Sequence, residues 1–303
     1  MAISRSQLVK ELEPGLNALF GLEYKRYENQ HSEIYNEESS DRAFEEEVML
    51  SGFANAQVKG EGSGVSFDEA QETFTARYTH ETVALAFAIT EEAIEDNLYD
   101  RLASRYTKAL ARSMSNAKQV KSVEPLINGL PTADNFDSGD GVSLFNTAHP
   151  TVSGTFANTL GTQADLNETS LEQSLIDIAA MTDERGLRIA ARGLKMIIPS
   201  ELQFTAERLM KSQGRTGTAD NDVNAIVSMG MIPQGYRVNN YLTDSDAFYI
   251  LTDVPNGMKM FNRSPLKTAM EGDFDTGNVR YKARERYSFG VSDPRGIFGV
   301  EGA

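Results

Sequence analysis

The chain has 303 residues, 44 acidic against 29 basic, with a net charge of −15 and no cysteine. Zero cysteine excludes a disulfide framework, a thiolate zinc site, an iron–sulfur cluster and a cysteine nucleophile. The acidic balance argues against a free-standing nucleic-acid binder, whose footprint would be basic, although it permits one basic face.

Leu8, Leu12, Leu16 and Leu19 recur at steps of four and three, which predicts an amphipathic helix over 4–20 that Pro14 splits or kinks. Residues 28–47 then carry eight acidic side chains and one basic one. Few apolar residues interrupt the run, so it reads as a solvated arm or as an arm lying on a basic surface of another subunit. Residues 53–79 predict a long hairpin. Ala54, Ala56 and Val58 alternate with polar residues, 60–64 (GEGSG) supply a flexible turn, and Phe74, Ala76 and Tyr78 alternate on the return. So weakly apolar a ribbon is marginal alone in water and needs a support.

The clearest strand is 83–89. Val83, Leu85, Phe87 and Ile89 point toward a core, and Ala84, Ala86 and Ala88 point the other way. Thr90 caps a helix expected to run to about residue 123, ending before Pro125, roughly 50 Å at 1.5 Å per residue. Such a helix suggests the spine of an elongated molecule. Residues 130–165 read as loop. Asp134, Asp137 and Asp140 do not complete a calcium loop, because Gly139 holds a ligand position and no Glu closes it. Beyond lie a helix over 168–183 ended by Gly186, a buried strand over 194–199, a helix capped by Ser200, and strands at 236–238 and 248–251. In 279–291, Val279, Tyr281, Ala283, Tyr287, Phe289 and Val291 share one face, broken by Glu285. Arg280, Lys282, Arg284 and Arg286 share the other. The mixed order of elements indicates an α+β protein.

No catalytic motif survives inspection. There is no Gly-x-Ser-x-Gly elbow, no His-Glu-x-x-His helix and no glycine-rich phosphate loop opening a helix. His149, before Pro150, is the most conspicuous histidine, and a hydrogen-bonding role in a loop suits it better than that of a base. No segment approaches the ~18 consecutive apolar residues of a membrane helix. No secretory h-region is visible at the start, so folding in a reducing cytoplasm is expected.

Two passages carry a resemblance. Leu194–Ser212, LKMIIPSELQFTAERLMKS, resembles a segment of tailed-bacteriophage major capsid proteins, especially the Mu-like major head subunit group. Leu144-Phe145-Asn146-Thr147-Ala148-His149-Pro150, followed by Gly154, Thr155 and Asn158, resembles that group's Leu-Phe-x-x-x-His passage. The resemblance implies the Hong Kong 97-type capsid fold. On that mapping 1–47 form the N-terminal arm and 48–82 the extended E-loop hairpin. Residues 83–128 and 255–303 form a peripheral domain with the spine helix, and 129–254 an axial domain.

The implied function is that of a major capsid protein, a structural protein with no enzymatic turnover. It would self-assemble into hexamers and pentamers of an icosahedral shell around double-stranded DNA. The alternative is an encapsulin-like compartment shell. Expected partners are further copies of the chain, a separate scaffolding protein, a portal, a possible decoration protein, and DNA held non-specifically on the inner face. No cofactor, metal or membrane is expected, and the place of the protein would be the virion, after assembly in the host bacterial cytoplasm. Subunit contacts are expected at Glu37, Glu38, Glu45, Glu46, Val58, Lys59, Phe67, Phe74, Tyr78, Arg280, Lys282, Arg284 and Arg286. The last four either face DNA or pair with acidic groups of the arm.

Overall fold

A computed structural model describes residues 5–90, 92, 99–133, 136–214, 222–273 and 277–303. Helix α1 (Arg5–Arg26) is not split by Pro14, which lies inside it. Strand β1 (Asn36–Ser39) follows, then β2 (Phe44–Leu50), β3 (Glu72–Thr79) and β4 (Glu81–Ile89). Helix α2 (Tyr99–Asn128) is the spine, 30 residues or about 45 Å. Its expected first turns fall mainly outside the described residues. Its end lies one turn later than expected, because Pro125 sits inside the helix. A proline there forfeits its N–H bond and crowds the Lys121 carbonyl, and Val123, Leu126 and Leu130, buried around it, hold the last turn in place.

The first sheet has the order β1-β10-β11-β4, with β10 (Met258–Gly272) and β11 (Val279–Val291) forming a long antiparallel hairpin at its centre. The predicted alternation of β11 holds: Tyr281, Ala283 and Tyr287 are buried, and Arg280, Lys282 and Arg284 are exposed. Glu285, the break in the apolar row, is buried as well. It accepts a hydrogen bond from Tyr24 Oη at 2.8 Å and lies 3.5 Å from Lys118 Nζ, so one carboxylate ties β11 to α1 and α2. On β4 only Ile89 is fully buried, while Leu85 is exposed. As an edge strand, β4 meets the helices along part of its length only.

Residues 137–158 include a short hairpin of β5 (His149–Thr151) and β6 (Gly154–Phe156), and α3 (Glu168–Ala180) starts from an Asn167/Ser170 capping box. Helix α3 stops at Ala180, six residues before Gly186, which instead bends the next turn with φ +81°. The second sheet has the order β12-β9-β7-β8, built from β7 (Gly193–Ile198), β8 (Tyr236–Val238), β9 (Phe248–Thr252) and β12 (Ile297–Val300). Helices α4 (Gln203–Lys211) and α5 (Ala225–Met229) accompany it. Strand β12 therefore joins the second sheet and does not continue the first, which moves the chain's last strand out of the body expected for 255–303.

Three large apolar clusters fill the described interior. Leu16, Phe20, Leu110, Met114 and Tyr281 fill the space between the helices and the first sheet. Leu171, Ile178, Met196, Leu209, Ile250 and Phe298 pack around the second sheet. Val123, Leu126, Leu144, Phe145, Tyr249, Met260 and Ile297 join the two. Phe145 lies so close over Gly299 that a Cβ there would come within 2.6 Å of the ring.

The acidic stretch departs most from expectation. It is a strap on its own subunit and not a free arm. Ile34 and Tyr35 enter the central cluster, and Tyr35 Oη donates to the Ser122 carbonyl at 2.6 Å. Strand β1 adds to the first sheet in parallel with β10. Two apolar anchors and one strand edge were enough, and a count of charges could not show them.

Candidate functional site

The passage from Leu144 to Asn158 folds into a buried polar hub. His149 Nδ1 donates to Asp140 Oδ2 at 2.6 Å, and Nε2 lies 3.0 Å from Asn158 Oδ1. The Asn158 amide is oriented by its other bonds. Its Nδ2 donates to the carbonyls of Leu144 (2.7 Å) and Pro294 (3.0 Å), and its Oδ1 accepts the Asn146 N–H at 2.9 Å. Both ring nitrogens are thus engaged, Nδ1 with Asp140 and Nε2 with Asn158. Burial pushes the Asp140 carboxyl up, but hydrogen bonds from His149 and Ser138 outweigh it and hold it below the usual range.

Arg295 stacks 4.1 Å over Phe156, whose other neighbour is the His149 ring, and pairs with Glu184 at 2.7 Å and Asp293 at 3.2 Å. His149, Asn158, Glu184 and Arg295 are all buried. The Asn158 amide joins this passage to the 294–296 turn through the Pro294 carbonyl, and Arg295 reaches the Thr182 carbonyl, so the hub ties loops together, as the reading of His149 as a loop hydrogen-bonder expects.

The outer surface is where function remains open. Strands β2 and β3 form a two-stranded ribbon, and 51–71 between them contain no strand. The expected strand at Ala54–Val58 does not form, because nothing lies beneath it to pair with or bury it. Ser51 and Gln71 close the ribbon with two hydrogen bonds, and Asp68 accepts the Ala54 N–H. Arg185 holds the loop's base through the Glu69 carbonyl and Asp68. Phe53, Val58, Val65 and Phe67 are exposed there, and Phe44, Val48 and Leu50 extend the apolar surface down the outer face of β2.

The predicted contact residues divide into three groups. Val58, Lys59 and Phe67 stand free in the loop, and Phe74 is half-buried at its base. The acidic residues are paired within the chain: Glu37 with His31 (3.2 Å), Glu38 with Lys259 (3.2 Å), Glu45 with Arg42 (3.8 Å) and Glu46 with Arg77 (3.8 Å). Lys259, nearly buried, also meets Glu47 at 2.5 Å, and Glu33 reaches Lys195 and Arg237. Burial opposes the Lys259 charge, but its two carboxylates prevail and hold its pKa above the ordinary value. The strap therefore draws on Lys195, Arg237 and Lys259 and not on the row Arg280–Arg286. Tyr78 is a correction: it is buried in its own chain, with its ring edge-on to Phe261 and its hydroxyl bonded to Ser292. Alternation in the sequence marks a buried face without saying what buries it.

Arg280 is paired with Asp273, whereas Lys282 and Arg284 meet no carboxylate among the described residues. Lys282 lies between Ala86 and Ala269, and Arg284 between Ala84 and Lys267. Arg286 is half-buried beside His80. Among the described residues no acidic or histidine cluster fits a metal ion, and no helix is long and apolar enough to cross a membrane.

A family model described as phage capsid protein matches residues 72–300. No curated protein matches. Among solved structures, the virus-like particle from Pyrococcus furiosus matches with TM-score 0.54 at 10% identity, covering 95% of this chain and 98% of that one. The capsid of Myoviridae phage XM1 matches with TM-score 0.54 at 11% identity, covering 89% of each. Mycobacterium phage Adephagia gives 0.54 at 11% identity and 91% of each. The shared fold is the Hong Kong 97-type capsid fold. The match is to the phage capsid family as a whole and not to the Mu-like group in particular.

Proposed function

The chain belongs to the phage capsid protein family, and on that premise we propose that it is the repeating subunit of a tailed-phage head, assembling as hexamers and pentamers around double-stranded DNA. One observation carries the assembly reading: the loop 51–71 presents Phe53, Val58, Val65 and Phe67 to solvent, held away from any core of its own. Burying those four on a neighbour would contribute roughly 6–12 kcal/mol per copy at 1.5–3 kcal/mol each, before ordering costs. Repeated head-to-tail, such a contact closes rings, and many weak copies add up to a stable shell. On this reading 48–82 act as the E-loop, 83–128 with most of 255–303 as the peripheral domain, and 129–254 as the axial domain. The leader 1–47 is the arm, already strapped to its own subunit through 30–47. A scaffolding protein, a portal and a decoration protein would be its separate partners.

Replacing 53–69 by a short Gly-Ser turn tests this. The cut spares β2, β3 and Tyr78, so the subunit should stay folded by circular dichroism and form no shells by electron microscopy. Particles of normal size and yield would refute the role of the loop. Particles from the intact chain that contain one protein cargo and no DNA would transfer the protein to the encapsulin-like reading.

A further inference from the structure

The layer made by α1, α2 and the first sheet has two cationic surfaces on opposite sides. Leu110, Ala111 and Met114 of α2 pack with Leu16 and Phe20 of α1 against Tyr281 and Ala283 of β11. Both helices therefore cover the side of the sheet from which Arg280, Lys282 and Arg284 point away. The helical side has cations of its own. Residues 101–123 contain six Lys or Arg and no Asp or Glu, in a chain with a net charge of −15. Arg105, Lys108 and Arg112 are exposed at steps of three and four, on one face of α2. Lys25 and Arg26 are exposed at the end of α1, and the two helices are joined by Glu23, which meets both Arg26 (3.6 Å) and Lys108 (3.8 Å). Glu23 is the one acid among the described residues to pair with this group, and no described carboxylate pairs with Arg105 or Arg112.

The two surfaces differ in what they can hold. The sheet side is flat, with Ala84, Ala86 and Ala88 exposed in a row beside Arg284, Lys282 and Arg280. Short side chains there admit close approach of a polypeptide. Acids are present as well: Asp273 holds Arg280, and Glu271 lies opposite Arg280 in the register. The helical side is a ridge. Beside its cations stand Ala109, Ser113 and Asn116, all exposed and small, with Tyr106 the one large side chain exposed among them. A convex row of long cations suits an extended polyanion, whose binding needs neutralised phosphates and counterion release more than a fitted pocket. From Arg105 to Arg112 the row spans about 10 Å of helix axis, against one phosphate per about 1.7 Å of duplex. About six phosphates of the two strands fall within that length of duplex.

We propose that the ridge formed by Arg105, Lys108 and Arg112 of α2, with Lys25 and Arg26 of α1, is the surface that holds the phosphate backbone of packaged double-stranded DNA. The sheet side, with Lys267, Lys282 and Arg284, is left to protein. The contact carries no base readout and is independent of sequence. The inference rests on the shell reading above and adds which side of the subunit faces inward.

DNA-filled particles of the intact chain are treated with formaldehyde, digested with nuclease and mapped by mass spectrometry for nucleotide adducts on lysine. Adducts are expected on Lys108 and Lys25, and not on Lys267 or Lys282. Adducts on Lys267 and Lys282 instead, or on both sides in equal yield, overturn the assignment while leaving the shell reading intact. Shells that never hold DNA overturn the assignment alone, and failure of the intact chain to form shells of any kind defeats the shell reading and the assignment with it. The R105Q/R112Q variant gives a second readout. It should assemble with normal yield and release its DNA at lower salt, the dependence of log K on log salt being shallower by roughly 2 for two lost phosphate contacts. An unchanged salt dependence in well-formed particles refutes the ridge.

Discussion

Asn158→Leu removes the centre of the buried hub while keeping the number and branching of its heavy atoms. The amide makes four hydrogen bonds, to the Asn146 N–H, His149 Nε2 and the carbonyls of Leu144 and Pro294, at 2.7–3.0 Å. Each is worth about 0.5–1.5 kcal/mol net, and a buried partner left without a bond costs about 1–3 kcal/mol. Asn146 is half-buried, so water can replace its partner, but His149 and Leu144 are fully buried and have no such recourse. The sum is a loss of roughly 3–6 kcal/mol, a large part of the ~5–15 kcal/mol that holds a typical domain folded. Urea unfolding of the unassembled subunit, followed by circular dichroism, should show the midpoint falling accordingly, while Asn116→Leu on the exposed face of α2 leaves it in place. A loss below about 1 kcal/mol for Asn158→Leu would refute the claim that the Leu144–Asn158 passage is retained for structure.

Lys259→Met should cost about 1–3 kcal/mol, because it strips Glu38 and Glu47 of a shared, nearly buried cation. Hydrogen exchange should then rise in β1 and β2 before it rises in β7 or β9. Gly299→Val places a branched side chain where Phe145 already lies within 2.6 Å of the Cβ position. Overpacking of about 1–3 kcal/mol is expected, and an unchanged melting temperature would argue against that packing.

Acid should loosen the strap. Burial, with Lys118 beside it, holds His31 below the ordinary histidine value, and burial with Arg286 does the same for His80; Glu37 and Glu45 oppose these effects in part. The unfolded chain protonates both rings near pH 6.5 and the native one only at lower pH. Their contribution to stability is thus complete above about pH 6.5 and is lost as pH falls from there through the native values. The double variant H31Q/H80Q should flatten stability between pH 6.5 and 5, where the depressed carboxylates of Glu33 and Asp140 remain ionised. The same slope in variant and parent would refute it.

Local patterns of period two or four were legible in the sequence, because they depend only on neighbours along the chain. The two faces of β11, the buried run of β7, the spine helix and the loop role of His149 were all visible in this way. So was the need of 51–71 for a support, since no alternation of Ala, Asn and Gln makes a strand stable without a partner. Long-range pairing was not legible. That Lys195, Arg237 and Lys259 receive the acidic strap, that Tyr78 closes over Gly290 and Phe261, and that β12 crosses to the second sheet depend on residues up to 221 positions apart. Glu285 and Asn158 show the same division. Composition marks them as polar residues in apolar surroundings, and only the tertiary structure brings Tyr24 and Lys118 to the one and the Pro294 carbonyl to the other. A buried polar group requires a partner by its own chemistry, but which partner arrives is decided by how distant segments pack.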